Sequence, residues 1–350
     1  MDNHTALKVL VYPGWKGANY YNQLYSDASQ IEYAEYNGGI FTLLKNLRIH
    51  HPSVIHLHWL TAYFAVDLYW SPSFIVRYVI SLLDLLFVRI FTNTKLVWTV
   101  HNLYEHETKH HKLERMAKWW TAKLVHKIIV LGPSAVPLVV NHYKADRSKI
   151  EISLHGHFNH LFPENIVSKS ACRKALHLPE DKLIYLFPGA AKEYKGIVEL
   201  VRSFKDWENQ NAVLVIAGKV SESILERMGN LPANVIVHNE YISDENLPKY
   251  YTATDWTVVP YQRILTAATL LTAMGLGSAV IVPKMGTLGD YLDEQGGILY
   301  LKNEKDCLLS ALKKSTTLNH EQLGAHNKIK ALKFDWTDIT KQTLEILRTA

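Results

Sequence analysis

The sequence predicts an α/β protein built from two doubly wound parallel-sheet domains separated by a cleft. Three observations predict it. Short apolar runs alternate with helix-like stretches, as expected of strands buried on both faces of a parallel sheet. The alternation lapses near Asn159 and restarts near Lys182, so the unit occurs twice. The 350 residues, 48% hydrophobic and 20% charged, suit two soluble domains that each bury a core.

The first series opens with a strand at Leu7 to Tyr12, followed by a glycine-bearing turn through Gly14 and Gly17 and a helix from Tyr20 to Ala28. Further strands are expected at Ser53 to Leu57, Lys95 to Val100 and Lys127 to Leu131. The second series runs through strands at Leu183 to Phe187, Ala212 to Ala217, Asn234 to His238 and Gly297 to Leu301, with helices at Ile197 to Trp207 and Asp244 to Thr252. Helices at Asn319 to Leu332 and Trp336 to Arg348 close the chain. The expected domains are residues 1–160, residues 161–335 and a final helix at 336–350 placed to brace the two.

Composition narrows the function classes. Cys172 and Cys307 stand in no disulfide or metal spacing, which favours a reducing compartment. Asp2-Asn3-His4 leads straight into the first strand, so no signal peptide is expected and the cytoplasm is the default location. A net charge of +5 suits an anionic ligand or membrane surface. No basic motif accompanies it, so nucleic acid is not expected.

The stretch from Thr254 to Pro283 carries the first chemistry. A buried strand at Trp256 to Val259, a loop from Pro260 to Leu265, a helix opening at Thr266 and a strand at Ala279 to Val282 together aim a helix N-terminus at the strand ends. Thr266 is the expected N-cap, and the small Ala267 and Ala268 let a ligand approach the free N–H groups of the first turn. With Tyr261 and Arg263 just before the cap, the expected tenant is a phosphate or pyrophosphate. The alternative is an ordinary βαβ unit whose helix start faces water.

Several stretches together resemble one family. Gly189-Ala190-Ala191-Lys192-Glu193-Tyr194-Lys195-Gly196, followed by Val259-Pro260-Tyr261-Gln262-Arg263, resembles the donor half of GT-B glycosyltransferases, whose two domains are Rossmann-like. His56-Leu57-His58-Trp59, Thr99-Val100-His101-Asn102-Leu103 with His106-Glu107, and Leu154-His155-Gly156-His157 are similar to the inverting β-mannosyltransferases of xanthan-type exopolysaccharide assembly. The resemblance implies transfer of a hexose, mannose from GDP-mannose, from a nucleotide diphosphate to a polyprenyl-linked oligosaccharide acceptor. Lys192, Lys195 and the helix entered at Gly196 would then converge on the leaving pyrophosphate, where negative charge develops. His157 would touch the donor sugar or phosphate, or serve as a structural histidine. Many retaining relatives use two glutamates separated by seven residues; here Ile264 and Thr272 stand in those places, which favours inversion and leaves the ribose contact unassigned.

An inverting displacement needs a base within reach of the attacking hydroxyl. Glu107, on the family's His-Glu position, is the first expectation and His101 the second. His56 with His58, and His155 with His157, are paired two apart as metal ligands can be. No Asp or Glu follows in a recognisable spacing, so neither a metal nor another cofactor is expected.

The run Phe74 to Phe91 reads as an amphipathic helix with Arg77, Ser81 and Asp84 on one stripe and a wide apolar face. Its charges argue against a membrane span. The segment Lys112 to Lys127 adds cations and two tryptophans, so peripheral attachment to the anionic inner face of the cell membrane is expected. A core helix beside a solvated basic helix is the alternative. Competing functions on the same residues are a UDP-sugar-dependent glucosyl or glucuronosyl transferase, a nucleotide-sugar epimerase, and a non-catalytic sugar-nucleotide binding protein.

Overall fold

The computed structural model describes residues 7–15, 18–28, 30–34, 39–61, 63–66, 73–105, 110–162, 168–302 and 304–350. They fall into two compact units, Met1–His155 with Trp336–Ala350, and Gly156–Asp335. The first contains β1 (Lys8–Tyr12), α1 (Asn19–Leu24), β2 (Gln30–Tyr33), α2 (Thr42–His50), β3 (Val54–Leu57), α3 (Phe74–Phe91), β4 (Lys95–Val100), α4 (His111–Leu124), β5 (Lys127–Val130), α5 (Ala135–Tyr143) and β6 (Ile150–Ile152). The second contains α6 (Lys169–Ala175), β7 (Leu183–Pro188), α7 (Ile197–Trp207), β8 (Ala212–Ala217), α8 (Glu222–Met228), β9 (Val235–His238), α9 (Leu247–Ala253), β10 (Trp256–Val258), α10 (Ala268–Gly275), β11 (Ala279–Pro283), α11 (Leu288–Tyr291), β12 (Gly297–Tyr300), α12 (Cys307–Ser315) and α13 (His320–Ala331). The last helix, α14 (Trp336–Arg348), belongs to the first unit, where Thr340 donates to the Gln23 carbonyl at 2.9 Å and Thr343 pairs with Ser153 at 2.8 Å.

Each unit is a six-stranded parallel sheet. The order is β2-β1-β3-β4-β5-β6 in the first and β12-β11-β10-β7-β8-β9 in the second. Central strands such as Val97, Trp98 and Val100 of β4, or the whole of β8, are buried because helices cover both faces. Helix α7 shows why those helices dock: Ile197, Leu200, Val201 and Phe204 recur on one side and pack against Tyr185, Phe187 and Leu214. Each strand order reverses once, between β1 and β3 and between β7 and β10. At such a reversal the loops leaving the strand ends part, and a crevice opens.

Helix α3 departs from the usual arrangement of an amphipathic helix in burying a carboxylate and exposing a wide apolar stripe. Its polar stripe faces the protein: Asp84 is buried and accepts the N–H groups of Leu43 at 2.8 Å and Leu44 at 3.0 Å, with the Tyr63 hydroxyl at 3.2 Å. The carboxylate thereby satisfies the open first turn of α2. Burial raises the Asp84 pKa, and these same hydrogen bonds act against the rise. Phe74, Tyr78, Leu85 and Val88 of the same helix are also buried, while a second apolar stripe, Ile75, Val76, Val79, Leu83, Ile90 and Phe91, is exposed. Among the described residues no helix is long and apolar enough to cross a membrane.

Candidate functional site

In the second unit the loops after β7 and β10 meet at the reversal point. Gly196, at φ 77°, stands between a short turn at Glu193–Lys195 and the start of α7; a β-carbon there would lie 2.1 Å from the Pro260 carbonyl oxygen. Only a residue without a side chain allows the two loops this approach. Gln262 stitches them together: its N–H donates to the Tyr194 carbonyl at 2.6 Å, its side-chain amide to Glu199, and Lys302 donates to its carbonyl at 3.0 Å. Tyr194 and the buried Tyr261 stack with centroids 6.2 Å apart. Burial raises the Tyr261 pKa, and its hydroxyl bonds to Thr269 in the first turn of α10.

This frame fixes Lys195. Its ammonium lies 3.2 Å from where a β-carbon of Gly189 would stand, directly above the end of β7. Burial, with Lys192 beside it, lowers its pKa to about 8. A half-buried ammonium of this kind gains from a nearby anion, which would restore its charged form. Lys192 is exposed at the start of the same turn, its carbonyl accepting the Lys195 N–H at 3.0 Å.

Three expectations need correction or relocation. Helix α10 opens at Ala268 rather than Thr266, and Ala267 caps it without a side-chain hydrogen bond. The reason is that the Thr266 hydroxyl pairs with Thr287 Oγ1 at 3.0 Å, which itself donates to the Leu265 carbonyl at 2.9 Å. The first turn therefore has no side-chain cap, and Ala268 is exposed there. Arg263 is exposed and lines, with Tyr194, Glu199, Arg202 and Arg227, a neighbouring cavity of about 400 Å³. His157 is buried, donating its N–H to the Phe334 carbonyl at 2.9 Å and accepting the Asn159 N–H at 3.2 Å, with Asp335 at 3.9 Å.

In the first unit the reversal between β1 and β3 gathers histidines and aromatic rings. His56 in β3 and His58 just beyond it are buried, and both contact the Tyr25 hydroxyl, at 2.7 and 2.8 Å. His56 also meets Thr99 at 2.7 Å, and His58 meets His101 at 2.9 Å. Burial lowers the His56 pKa to about 3 and holds His58 and His101 well below the usual imidazole range. Burial thus favours the neutral form of all three. Among the described residues no cluster of three or more His, Cys, Asp or Glu side chains is placed to hold a metal ion.

The loop after β4 is pinned by a buried lysine. Lys118 donates to the Asn102 carbonyl at 3.2 Å and to Glu114 at 2.6 Å, while Glu114 accepts the Glu105 N–H at 2.7 Å. Glu105 has its pKa raised by burial, with Lys118 opposing. Glu107 and His106 lie outside the described residues. The paired histidines were visible in the sequence, and Thr99 and Gln262 stood in the resembling stretches without an assigned role; Tyr25 carried no signal, because it acts on partners distant in the chain.

Residues 168–328, nearly all of the second unit, match the family of glycosyl transferases group 1. The second unit therefore carries a group 1 glycosyl transferase domain. An uncharacterized glycosyltransferase of Methanocaldococcus jannaschii is 24% identical over 261 residues, covering 71% of this chain and 65% of that one. The GDP-mannose:glycolipid 4-β-D-mannosyltransferase of Xanthomonas campestris pv. campestris is 23% identical over 259 residues, covering 69% of this chain and 64% of that enzyme. The chain thus spans just under two thirds of these curated relatives. Among solved structures, Anabaena HepE in complex with UDP and glucose superposes with a TM-score of 0.74 at 13% identity, over 99% of this chain and 100% of that one. Sucrose-phosphate synthase from Thermosynechococcus elongatus follows at 0.68 and 19%, over 88% of this chain and 76% of that one. The chain therefore has the GT-B fold.

Proposed function

We propose that this glycosyltransferase moves a hexose, with inversion, from a nucleotide diphosphate donor to a lipid-linked oligosaccharide in exopolysaccharide synthesis, and that the donor is GDP-mannose. The observation that carries the reading is the half-buried Lys195 ammonium, 3.2 Å from the β-carbon position of Gly189 just past the end of β7. In this reading residues 161–335 hold the donor and residues 1–160 the acceptor. An acceptor hydroxyl attacks the anomeric carbon, the bond to the β-phosphate oxygen breaks, and the hydroxyl proton passes to a base, for which we propose Glu107. Lys195, Lys192 and the N–H groups of Ala267 and Ala268 take up the charge on the departing diphosphate. Tyr261 holds the loop in place, and Thr266 and Arg263 border the seat.

The choice of GDP-mannose is supported by the name of the Xanthomonas relative. A UDP-sugar donor is the second reading, supported by the HepE complex with UDP-glucose. Purified protein incubated with radiolabelled GDP-mannose or UDP-glucose and a polyprenyl-linked oligosaccharide extract distinguishes them. Label entering the lipid fraction from GDP-mannose is expected. Label from UDP-glucose alone reassigns the donor, and epimerised donor without acceptor, or no turnover at all, overturns transfer.

The partner of α3 is proposed to be an anionic bilayer. A stripe of exposed Ile, Val, Leu and Phe with its polar side buried suits lipid rather than water. Alongside, α4 exposes Met116 and Trp120, and a cavity of about 730 Å³ is lined by His111, Lys112, Arg115, Trp119, His142 and Lys144. Such a cavity suits a lipid or polyprenyl phosphate. In flotation assays the protein is expected to rise with phosphatidylglycerol vesicles, and Leu83→Glu with Phe87→Glu to abolish this. Wild-type protein that stays down with every vesicle contradicts the proposal.

A further inference from the structure

The histidine cluster of the first unit is a directional chain. Four contacts join five side chains in series: Thr99 Oγ1 to His56 Nε2, His56 Nδ1 to Tyr25 Oη, Tyr25 Oη to His58 Nε2, and His58 Nδ1 to His101 Nε2. Each neutral imidazole has one N–H and one lone pair, and the phenol has one proton. Fixing the direction of any one bond therefore fixes all four. Two arrangements remain, and they leave opposite faces on His101. In one its Nδ1 is a bare lone pair; in the other it carries the proton.

Thr99 decides between them. It is buried in the middle of the sheet, and His56 is the one hydrogen-bond partner of its hydroxyl among the described residues. If Thr99 accepted from His56, its own proton would be a buried donor without an acceptor, which costs about 1–3 kcal/mol. Donation from Thr99 avoids that. His56 then donates from Nδ1 to Tyr25, Tyr25 to His58 Nε2, and His58 from Nδ1 to His101 Nε2. The proton of His101 is left on Nδ1, a nitrogen for which the described residues provide no hydrogen-bond partner.

His101 is the chain's one partly exposed member, and aromatic rings wall it. Trp59 stacks on it at 4.2 Å and 10°, Tyr20 meets it edge-on at 5.3 Å, and the exposed Trp15 extends the wall from Trp59 at 5.1 Å. Flat aromatic faces beside one directional donor are what a pyranose ring needs, its C–H face on the rings and an oxygen on the N–H. We infer that Thr99 sets the direction of this chain, and that His101 consequently offers an Nδ1–H donor to an oxygen of the acceptor sugar in a recess formed by Trp15, Tyr20 and Trp59. This assignment rests on the proposed transfer, and it makes His101 a binding donor rather than the base. Thr99, His56, Tyr25 and His58 are positioning residues.

The test has two arms with separate readouts. Nitrogen-15 NMR of the histidine rings, assigned with single-site variants, is expected to find His56, His58 and His101 all in the Nδ1–H tautomer. Thr99→Val is expected to release the direction and change the His101 tautomer, whereas Thr99→Ser, which keeps the hydroxyl, is not. Nε2–H tautomers in the wild type overturn the inference whatever the enzyme transfers. In the kinetic arm, Thr99→Val and His101→Ala are each expected to raise the acceptor KM about tenfold with the donor KM unchanged. His101→Asn, whose amide places an N–H near the Nδ1 position, is expected to recover most of that loss. An acceptor KM unchanged in all three variants overturns the sugar contact. Absence of transfer by the wild type with every donor refutes the proposed function and leaves the tautomer result standing.

Discussion

Replacing Lys195 with alanine is expected to lower transfer by about 100- to 1,000-fold with the fold intact, the scale of removing one preorganised group from developing negative charge. Among the described residues the Lys195 ammonium makes no hydrogen bond or ion pair: it lies over Gly189, and the loops around it are held by Gly196 against Pro260 and by Gln262. Its loss therefore reads out in activity, and circular dichroism checks that the protein remains folded. The pH dependence follows from the same burial. With a pKa lowered to about 8, Lys195 is an ammonium below that value and a neutral amine above it. An anionic diphosphate binds the charged form, so donor affinity falls as pH rises from 7 to 9.5. In Lys195→Ala that fall is expected to disappear. Calorimetric titration of UDP and GDP across the range checks it, and a slope retained in the variant assigns it to another group.

The largest stability effect is expected at Asp255. Its buried carboxylate, just ahead of β10, accepts the Ile184 N–H at 2.7 Å, Arg173 at 2.9 Å and Lys169, and pairs with His320 at 3.0 Å. It thereby ties α6, β7 and α13 to one point. Burial pushes its pKa up, but the hydrogen bonds from His320, Lys169 and Ile184 win and hold it well below the usual carboxylate range. Asp255→Asn leaves Arg173 and Lys169 facing an uncharged group. The expected loss is about 3–5 kcal/mol for breaking a buried ionic cluster, measured by urea unfolding followed with tryptophan fluorescence. A group whose folded pKa is depressed stabilises above its unfolded value, near 4, and the contribution fades as pH falls toward the folded value. The difference between wild type and variant should accordingly be full at pH 7 and shrink below pH 4. A variant as stable as the wild type at neutral pH contradicts this reading.

Much of the fold was legible because its strongest signals are local. Helices α3, α7 and α14 have the bounds their periodicity indicates, and β4 and β8 stand where unbroken apolar runs place them. Strand β2 gave no such signal: Gln30-Ile31-Glu32-Tyr33 lies at a sheet edge, half in water, and needs no apolar run. Helix α1 ends at Leu24, four residues before the expected Ala28, since Tyr25 leaves the helix to reach His56 and His58. In α3 the polar stripe was readable, but not that it faces inward. That depends on the first turn of α2, forty residues earlier in the chain, needing a carboxylate. Lys192 and Lys195 were singled out through the family resemblance, with their spacing beside Gly196 in support. The lock that shapes their seat was not, because Gly196 against Pro260 and Gln262 against Tyr194 are contacts across some sixty residues.

A nucleotide diphosphate is expected to rest where β7 and β10 part, against Lys195 and the first turn of α10. Hydrogen–deuterium exchange with and without saturating GDP or UDP tests it most directly. The account predicts slowed exchange in peptides spanning 189–197 and 260–270, lost on Lys195→Ala. A nucleotide that binds while protecting neither segment would contradict it.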